Sequence, residues 1–272
     1  MLAAVGIRST IWFDGSRFLL NVAVADATTA LFHLRSYDAE RRASRGPVLP
    51  APAAPPYRAA WVGSAVYVAV LCGIAIAIST GLWPADAFER GELNAAQVHG
   101  GQWWRAWTAL TLHADASHLI GNLGAGVWFG TLAARQLGTG SAWLLIVMGA
   151  AAVNLIDARF GPSTYRSVGA STAVFTALGL MAAHSWRTRY VLRQRWVQRW
   201  SPLIAGTVLL GWFGSTGEGT DLVAHALGFT VGCVLGALGA GTAVAQNRVS
   251  QSLAGLAALG SLALAWILAL TH

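Results

Sequence analysis

The sequence predicts an all-α polytopic membrane protein, and three observations support this prediction. Of its 272 residues, 55% are hydrophobic and only 11% are charged, whereas soluble domains carry about 25% charged residues. The mean hydropathy is +0.53. Apolar stretches near the ~20 residues that a membrane-spanning helix needs recur along the chain. The 13 tryptophans and 31 glycines fit this class, because Trp favours membrane interfaces and Gly allows close helix packing.

Seven apolar stretches are predicted to be membrane spans. They cover residues 59–83, 118–134, 138–156, 169–186, 202–214, 221–240 and 253–270. The fifth is short, so we expect it to be tilted or extended by a few residues. Residues 84–117 form a long loop rich in Trp, which we expect at the membrane interface. No basic residue precedes the first short apolar run, so we expect insertion through these helices rather than a signal peptide.

The organisation predicted from composition has three parts. Residues 1–58 are an N-terminal cytosolic region that ends in a Pro/Ala linker at 47–56, where prolines prevent a helix. Residues 59–240 form a six-span core, and residues 241–272 add a seventh span. The apolar stretch 18–34 carries Asp26, so we predict a small helix or strand of the cytosolic region there instead of a span.

The distribution of arginine predicts the orientation. Every basic residue is Arg, and a cytoplasmic N-terminus places 14 of the 18 on the inner side and 4 on the outer side. This asymmetry follows the positive-inside rule. The formal charge of +7 therefore reports topology, and nucleic acid is not an expected partner. The asymmetry and the lack of a transit peptide favour a bacterial inner membrane.

Polar residues occur at the outer ends of three alternate spans. They are His118 with Asn122 on the second span, Ser171 on the fourth and His225 on the sixth. The predicted topology places all of them at a similar depth, a few residues below the outer surface. Polar groups within a membrane are costly and indicate function by default.

Ser171 and His225 have the chemistry of a nucleophile and its base. A serine hydroxyl needs a base to accept its proton, and neutral histidine can do this near pH 7. Gly169 leaves room around the serine. Gly228 and the glycines at 232 and 236 give the sixth span a smooth face, which would let the two helices pack closely.

Further hydrogen-bond donors are available for an oxyanion. His118 and Asn122 are four residues apart and so share one helical face. The backbone N–H of Ser171 is a third donor, at a helix N-terminus that favours negative charge. Such donors stabilise the charge that develops during acyl transfer.

Other interpretations of these residues remain open at this point. His118 and Asn122 are also consistent with a pair that forms hydrogen bonds between two helices. His225 alone is equally consistent with a buried histidine whose hydrogen bonds are satisfied within the protein. His99, His113 and His118 raise the possibility of a metal site. No carboxylate or cysteine lies at ligand spacing near them, so neither a metal nor another cofactor is expected.

Taken together, the motifs resemble the rhomboid family of intramembrane serine proteases. The resemblance covers residues 59–240, and the motifs follow the family order on alternate spans. They are Trp104-Arg105, His113-Ala114, His118-Leu-Ile-Gly-Asn122, Gly169-Ala170-Ser171 and Ala224-His225-Ala-Leu-Gly228-x3-Gly232. The resemblance implies a six-helix rhomboid-like core, to which the predicted seventh span is added.

The resemblance also implies roles for these residues. Ser171 would be the nucleophile and His225 the general base and acid, with no acidic third member. His118, Asn122 and the Ser171 N–H would form the oxyanion hole. The substrates implied are other transmembrane proteins in the bilayer, cut in or near their membrane segments. The residues Trp104, Arg105 and His113 would shape the first outer loop.

The sequence departs from the family pattern near the serine. Thr172 follows it where glycine is most frequent, and Phe175 replaces a common tyrosine; a phenylalanine can stack on the histidine but cannot donate a hydrogen bond. The alternative function is a catalytically inactive rhomboid-like protein that binds or escorts membrane clients. A third hypothesis, a transporter with a His/Asn proton path, is disfavoured because the polar residues gather at one depth.

Overall fold

The protein consists of two compact units in the computed structural model. The structure describes residues 2–15, 17–44, 57–214, 221–239 and 248–272. The first unit is Met1–Pro50 and the second is Ala51–His272. The predicted linker at 47–56 and residues 215–220 and 240–247 lie outside the described residues.

The first unit is a hairpin followed by a helix. A 3-10 turn at Leu2–Val5 leads into an antiparallel pair of strands, β1 (Ser9–Phe13) and β2 (Phe18–Val22), and then into helix α1 (Ala27–Ser44). Leu2, Ile7 and Ala30 form its small core. The stretch 18–34 therefore consists of strand β2, a 3-10 turn and the start of helix α1.

Within its described residues, the second unit contains seven long helices, one at each predicted span. In chain order its elements are α2 (Tyr57–Ser79), α3 (Ala87–Gly91), β3 (Leu93–Asn94), α4 (Ala95–His99), α5 (Arg105–Thr108), α6 (Ala116–Leu137), α7 (Thr139–Phe160), β4 (Arg166–Ser167), α8 (Ser171–Val191), α9 (Trp196–Gly214), α10 (Leu222–Gly239) and α11 (Arg248–Thr271). The prediction of an all-α polytopic fold is confirmed.

By length and composition alone, four helices in the described part of the chain could cross a membrane: α2, α7, α10 and α11. The other long helices are less apolar, and α8 shows why this is tolerated. It is buried without interruption from Thr172 to Leu180. Because neighbouring helices surround it, α8 can carry buried Thr176 and His184 without exposing them to lipid.

Several helix ends differ from the predicted spans. Helix α2 ends at Ser79, four residues early, because Gly81 turns the chain with φ +71° and the Trp83 N–H returns to the Ala77 carbonyl. Helix α11 begins at Arg248, five residues before the predicted start of its span. Hydrophobicity marks the apolar part of a helix, whereas backbone hydrogen bonds continue into polar residues.

Helix α9 is longer than its predicted span because it tolerates a proline. It starts at Trp196 and contains Pro202, which has no N–H to offer the carbonyl of Gln198. That carbonyl accepts instead from Arg189 Nη1 at 2.7 Å and from Ser201 Oγ at 3.2 Å. The helix thus begins six residues before the predicted span.

The long loop at 84–117 is a folded element. Arg105 is only 8% exposed, and its guanidinium donates to the carbonyls of Glu89 (2.7 Å) and Glu92 (2.9 Å) and to the Gln102 side chain. Strand β3 pairs antiparallel with β4, and Glu92 forms an ion pair with Arg166. These bonds fix the loop to the segment that precedes α8.

Helix α11 belongs to the core of the second unit. Gln251 donates to the Leu137 carbonyl and to Ser141 Oγ, and its Oε1 accepts the Ser141 N–H at 3.0 Å, which caps α7. At the other end, Trp266 Nε1 donates to Thr111 Oγ1 at 3.0 Å. The seventh span therefore joins α7 at one end and the folded loop at the other.

Candidate active site

The segment before α8 holds Ser171 in a fixed place. Gly169 has φ +133°, a conformation that favours glycine, and its N–H donates to the Ala109 carbonyl at 2.9 Å. The Ala170 N–H donates to His113 Nε2 at 3.4 Å. Ser171, half-buried, is the first residue of α8, so its N–H is among those that the helix leaves unpaired.

His118 and Asn122 lie against this segment from α6. A Cβ on Gly169 would lie 2.7 Å from His118 Cε1 and 3.7 Å from Asn122 Nδ2. Asp115 caps α6 by accepting the His118 N–H at 2.8 Å, which places both side chains in the first two turns. The buried Nδ2 of Asn122 has no hydrogen-bond partner among the described residues. It is therefore a donor free for a ligand oxygen.

His225 contacts α8 from helix α10. It is 7% exposed and lies in the first turn of α10. Its ring centroid is 4.4 Å from that of Phe175, with an interplanar angle of 36°. Phe175 is one turn after Ser171, so the imidazole lies level with the first turn of α8. Asp221 caps α10 by accepting the Ala224 N–H at 2.9 Å.

Glycines bring α10 and α8 into backbone contact. A Cβ on Gly228 would lie 2.9 Å from the Thr172 carbonyl oxygen, and one on Gly232 would overlap the Thr176 carbonyl. Gly179 of α8 faces the backbone of α10 in the same way, against Phe229. The close packing predicted from the glycine spacing is confirmed.

The site residues predicted from sequence fall into two groups. The first group gathers around the first turn of α8 and the segment before it, and consists of His113, His118, Asn122, Gly169, Ser171, Phe175, His225 and Gly228. Trp104 and Arg105 belong to the folded loop instead. The Arg105 guanidinium donates to two backbone carbonyls of that loop, and the Trp104 ring lies 5.6 Å from the His272 ring. In the described part of the chain, no three His, Cys, Asp or Glu side chains are placed to hold a metal ion.

Two tyrosines near the site were missed by the sequence reasoning. The Tyr67 hydroxyl of α2 donates to the Asn122 carbonyl at 2.8 Å, and the Tyr165 hydroxyl donates to the Asp221 carboxylate. Burial, followed by the Asp221 bond, raises the pKa of Tyr165. Each pair is separated by more than fifty residues, and a tyrosine in an apolar stretch carries no signal of its distant partner.

We expect His113 to make the stability of the folded protein depend on pH. Burial, with a smaller contribution from the neighbouring His118, lowers its pKa from 6.5 to about 4, and its Nε2 accepts a hydrogen bond only when unprotonated. The unfolded chain binds this proton at higher pH than the folded chain. The stabilisation is therefore complete above pH 6.5 and is lost as the pH falls towards about 4.

We expect the melting temperature in detergent to fall between pH 7 and pH 4.5, and to fall less in His113→Gln, which retains an acceptor but does not titrate. Melting curves at a series of pH values measure this difference. Equal pH dependence in both proteins would exclude His113 as the titrating group.

The fold defines a polytopic membrane protein in which Ser171, His225 and the pair of His118 and Asn122 lie near the N-terminal ends of three helices. The Rhomboid domain model matches residues 100–242, which is more than half of the chain. The chain belongs to the rhomboid family, as its motifs predicted.

Two relatives give the range of similarity. "Rhomboid protease GluP" of Bacillus subtilis (strain 168) is 41% identical over 91 residues, which are 34% of this chain and 18% of that protein. "Rhomboid-like protein 11, chloroplastic" of Arabidopsis thaliana is 30% identical over 176 residues, which are 59% of this chain and 62% of that protein. The matches thus span less than two thirds of the length of either relative.

Proposed function

We propose that the protein is an intramembrane serine endopeptidase with Ser171 as nucleophile and His225 as general base. The observation that carries the proposal is the environment of the first turn of α8. The His225 ring lies against Phe175 of α8, and His118 and Asn122 of α6 lie against Gly169 just before α8. A nucleophile, a base and oxyanion donors around one atom are the parts that acyl transfer requires. Membership of a family that includes a protein named as a protease supports this function.

The reaction follows from these positions. Ser171 Oγ attacks the carbonyl carbon of the scissile peptide while His225 accepts its proton. The oxyanion of the tetrahedral intermediate receives hydrogen bonds from Asn122 Nδ2, the Ser171 N–H and His118. As the C–N bond breaks, His225 returns the proton to the leaving amine. Water then attacks the acyl-enzyme by the same route and releases Ser171.

The location of the site indicates the substrates. Ser171, His118 and His225 all lie in the first turn of their helices, and the predicted topology puts these turns at a similar depth in the membrane. The arginine asymmetry places this end on the outer side of a membrane, with the N-terminus in the cytoplasm. We therefore propose an inner-membrane enzyme of a bacterium that cuts other transmembrane proteins near the outer ends of their spans.

A fluorophosphonate probe tests the proposal, because it reacts with an activated serine only. We expect wild type in liposomes to be labelled at Ser171 and to cleave a single-span substrate with a helix-destabilising membrane segment. Ser171→Ala should do neither, and Ser185→Ala on the same helix serves as the control that keeps both activities. Absence of labelling in folded wild type would overturn the protease proposal and leave the inactive, client-binding alternative.

Asn122→Ala is expected to lower kcat by about 10²-fold while KM changes little, because one oxyanion donor is typically worth this factor. Its amide makes no hydrogen bond with a described residue, so its loss should cost little stability. The matched control is Asn154→Ala, whose amide donates to the Ala106 carbonyl at 2.8 Å. That variant should lower the melting temperature more than Asn122→Ala. An unchanged kcat in Asn122→Ala would remove this residue from the site.

A further inference from the structure

The C-terminal part of helix α11 packs against the folded loop at 84–117. Trp266 is 6% exposed, and its ring lies 4.6 Å from that of Trp83. A Cβ on Gly91 would lie only 2.5 Å from the Trp266 ring, so the loop backbone touches the indole directly. Leu112 of the loop belongs to the same buried cluster. The indole is therefore enclosed between α11 and the loop.

The polar atom of this indole has a specific partner in the loop. Trp266 Nε1 donates to Thr111 Oγ1 at 3.0 Å, and Thr111 is 3% exposed. The Thr111 hydroxyl donates in turn to the Thr108 carbonyl at 2.7 Å. Because both side chains are buried, removal of the threonine hydroxyl would leave the indole N–H unpaired, which costs more than the bond itself contributes. The bond therefore fixes where the turn around Thr111 lies relative to α11.

The 3-10 turn that ends at Thr111 also holds the segment of the proposed nucleophile. Ala109 is the first residue of this turn, and its carbonyl accepts the Gly169 N–H at 2.9 Å. The Thr111 backbone hydrogen-bonds to His113, whose Nε2 accepts the Ala170 N–H at 3.4 Å. Gly169 and Ala170 directly precede the serine. Helix α11 is thus linked to the serine through the turn by a continuous series of hydrogen bonds.

We propose that Trp266 is a positioning residue for Ser171. Through its bond to Thr111 it fixes the turn, and the turn holds the two residues that set the position of the serine Oγ and N–H. This inference rests on the proposed protease function. Acyl transfer depends steeply on such positions, because a displacement of about 1 Å at the reacting atoms can lower a rate by ~10²-fold. Trp266 acts through the loop and not at the reacting atoms, so its loss should lower kcat rather than raise KM.

Hydrogen exchange measured by mass spectrometry on the full-length protein in detergent tests the structural link without relying on catalysis. Thr111→Val keeps the shape of the side chain and removes its hydroxyl. We expect the amides of residues 166–171 to exchange roughly fivefold to tenfold faster in this variant, the factor that corresponds to one lost hydrogen bond. Thr111→Ser retains a hydroxyl and should exchange at the wild-type rate. Wild-type exchange of this segment in both Thr111→Val and Trp266→Phe would overturn the link.

Cleavage of a single-span substrate in liposomes, normalised to folded protein, tests the effect on the reaction. Trp266→Phe keeps an aromatic ring and removes the N–H, and we expect kcat to fall by about tenfold while KM stays close to the wild-type value. The matched control is Gln251→Leu at the other end of α11, which loses the bonds to Leu137 and Ser141. It should lower the melting temperature and leave kcat of the folded protein unchanged. An equal fall of kcat in both variants would overturn the positioning role, because α11 would then act through stability alone.

The behaviour of wild type distinguishes a failure of this inference from a failure of the proposed function. An active wild type with an equally active Trp266→Phe variant would overturn the positioning role alone. A folded wild type that neither cleaves the substrate nor reacts with a fluorophosphonate would overturn the protease proposal and the catalytic part of this inference together. The exchange measurement then decides by itself whether Trp266 holds the segment before Ser171.

Discussion

His225→Ala is expected to lower kcat/KM for a transmembrane substrate by about 10³-fold or more. Without the imidazole, Ser171 Oγ loses the base that we propose to accept its proton. The residual rate would come from substrate binding and from the oxyanion donors on α6, which the substitution leaves in place. Cleavage in liposomes, normalised to folded protein, measures the effect.

His184→Ala is the matched control. His184 is also a buried histidine and lies on α8 itself, 13 residues after Ser171, which is roughly 20 Å along the helix. Its removal should cost stability without changing the rate of the folded enzyme. If His225→Ala kept more than about one tenth of the wild-type rate while Ser171→Ala had none, His225 would not be the base.

The double variant Ser171→Ala/His225→Ala sharpens the test. When a nucleophile and a base act as one unit, the second removal costs little once the first has been made. We expect the double variant to be no slower than Ser171→Ala alone. A further large drop would mean that His225 acts independently of the serine, for example in substrate binding.

The sequence singled out the candidate nucleophile, base and oxyanion donors because each of them is a polar residue in an apolar segment. Ser171, His118 and His225 needed no knowledge of contacts, since topology alone placed them at one depth. Gly228 was predicted to permit close packing. In the structure, a Cβ at this position would lie only 2.9 Å from the Thr172 carbonyl oxygen. Hydrophobicity and residue size are local properties, so a single sequence contains them.

What the sequence did not reveal depends on distant partners. The loop at 84–117 was expected to be interfacial, yet Arg105 and Thr108 tie its short helices together through backbone carbonyls. Trp266 was assigned only to an apolar span, although it donates to Thr111, 155 residues earlier. A carbonyl acceptor is present in every residue, so no residue type marks which carbonyl a side chain will find.

Helix α10 shows how residue properties that the sequence contains combine with contacts that only the structure reveals. Its glycines at every fourth position predicted a smooth face, but not which helix would cover it. The structure places that face on α8, the helix of the proposed nucleophile, and the α8–α10 interface is the most extensive between described elements. The position of His225 therefore depends on side chains being absent one, two and three turns further along α10.

Gly232→Val is accordingly expected to destabilise the fold by about 3 kcal/mol or more, at the upper end of the cost of overpacking. A Cβ at this position would overlap the Thr176 carbonyl oxygen and lie 2.9 Å from the Leu180 nitrogen. Both are backbone atoms within α8, and the helix cannot move them without breaking its own hydrogen bonds. We expect a large fall in the melting temperature and a loss of monodisperse protein in size-exclusion chromatography.

Three glycine substitutions that differ in the space around the added side chain separate this steric effect from the loss of a glycine itself. Gly73→Val on α2 meets open space and should leave the melting temperature nearly unchanged. Gly228→Ala, whose Cβ would approach only the Thr172 carbonyl closely, should fall between the two. In that variant α10 shifts near His225, so we expect activity to fall by a larger factor than the fraction of folded protein. A melting temperature of Gly232→Val equal to that of Gly73→Val would show that α8 and α10 do not pack backbone to backbone in the membrane.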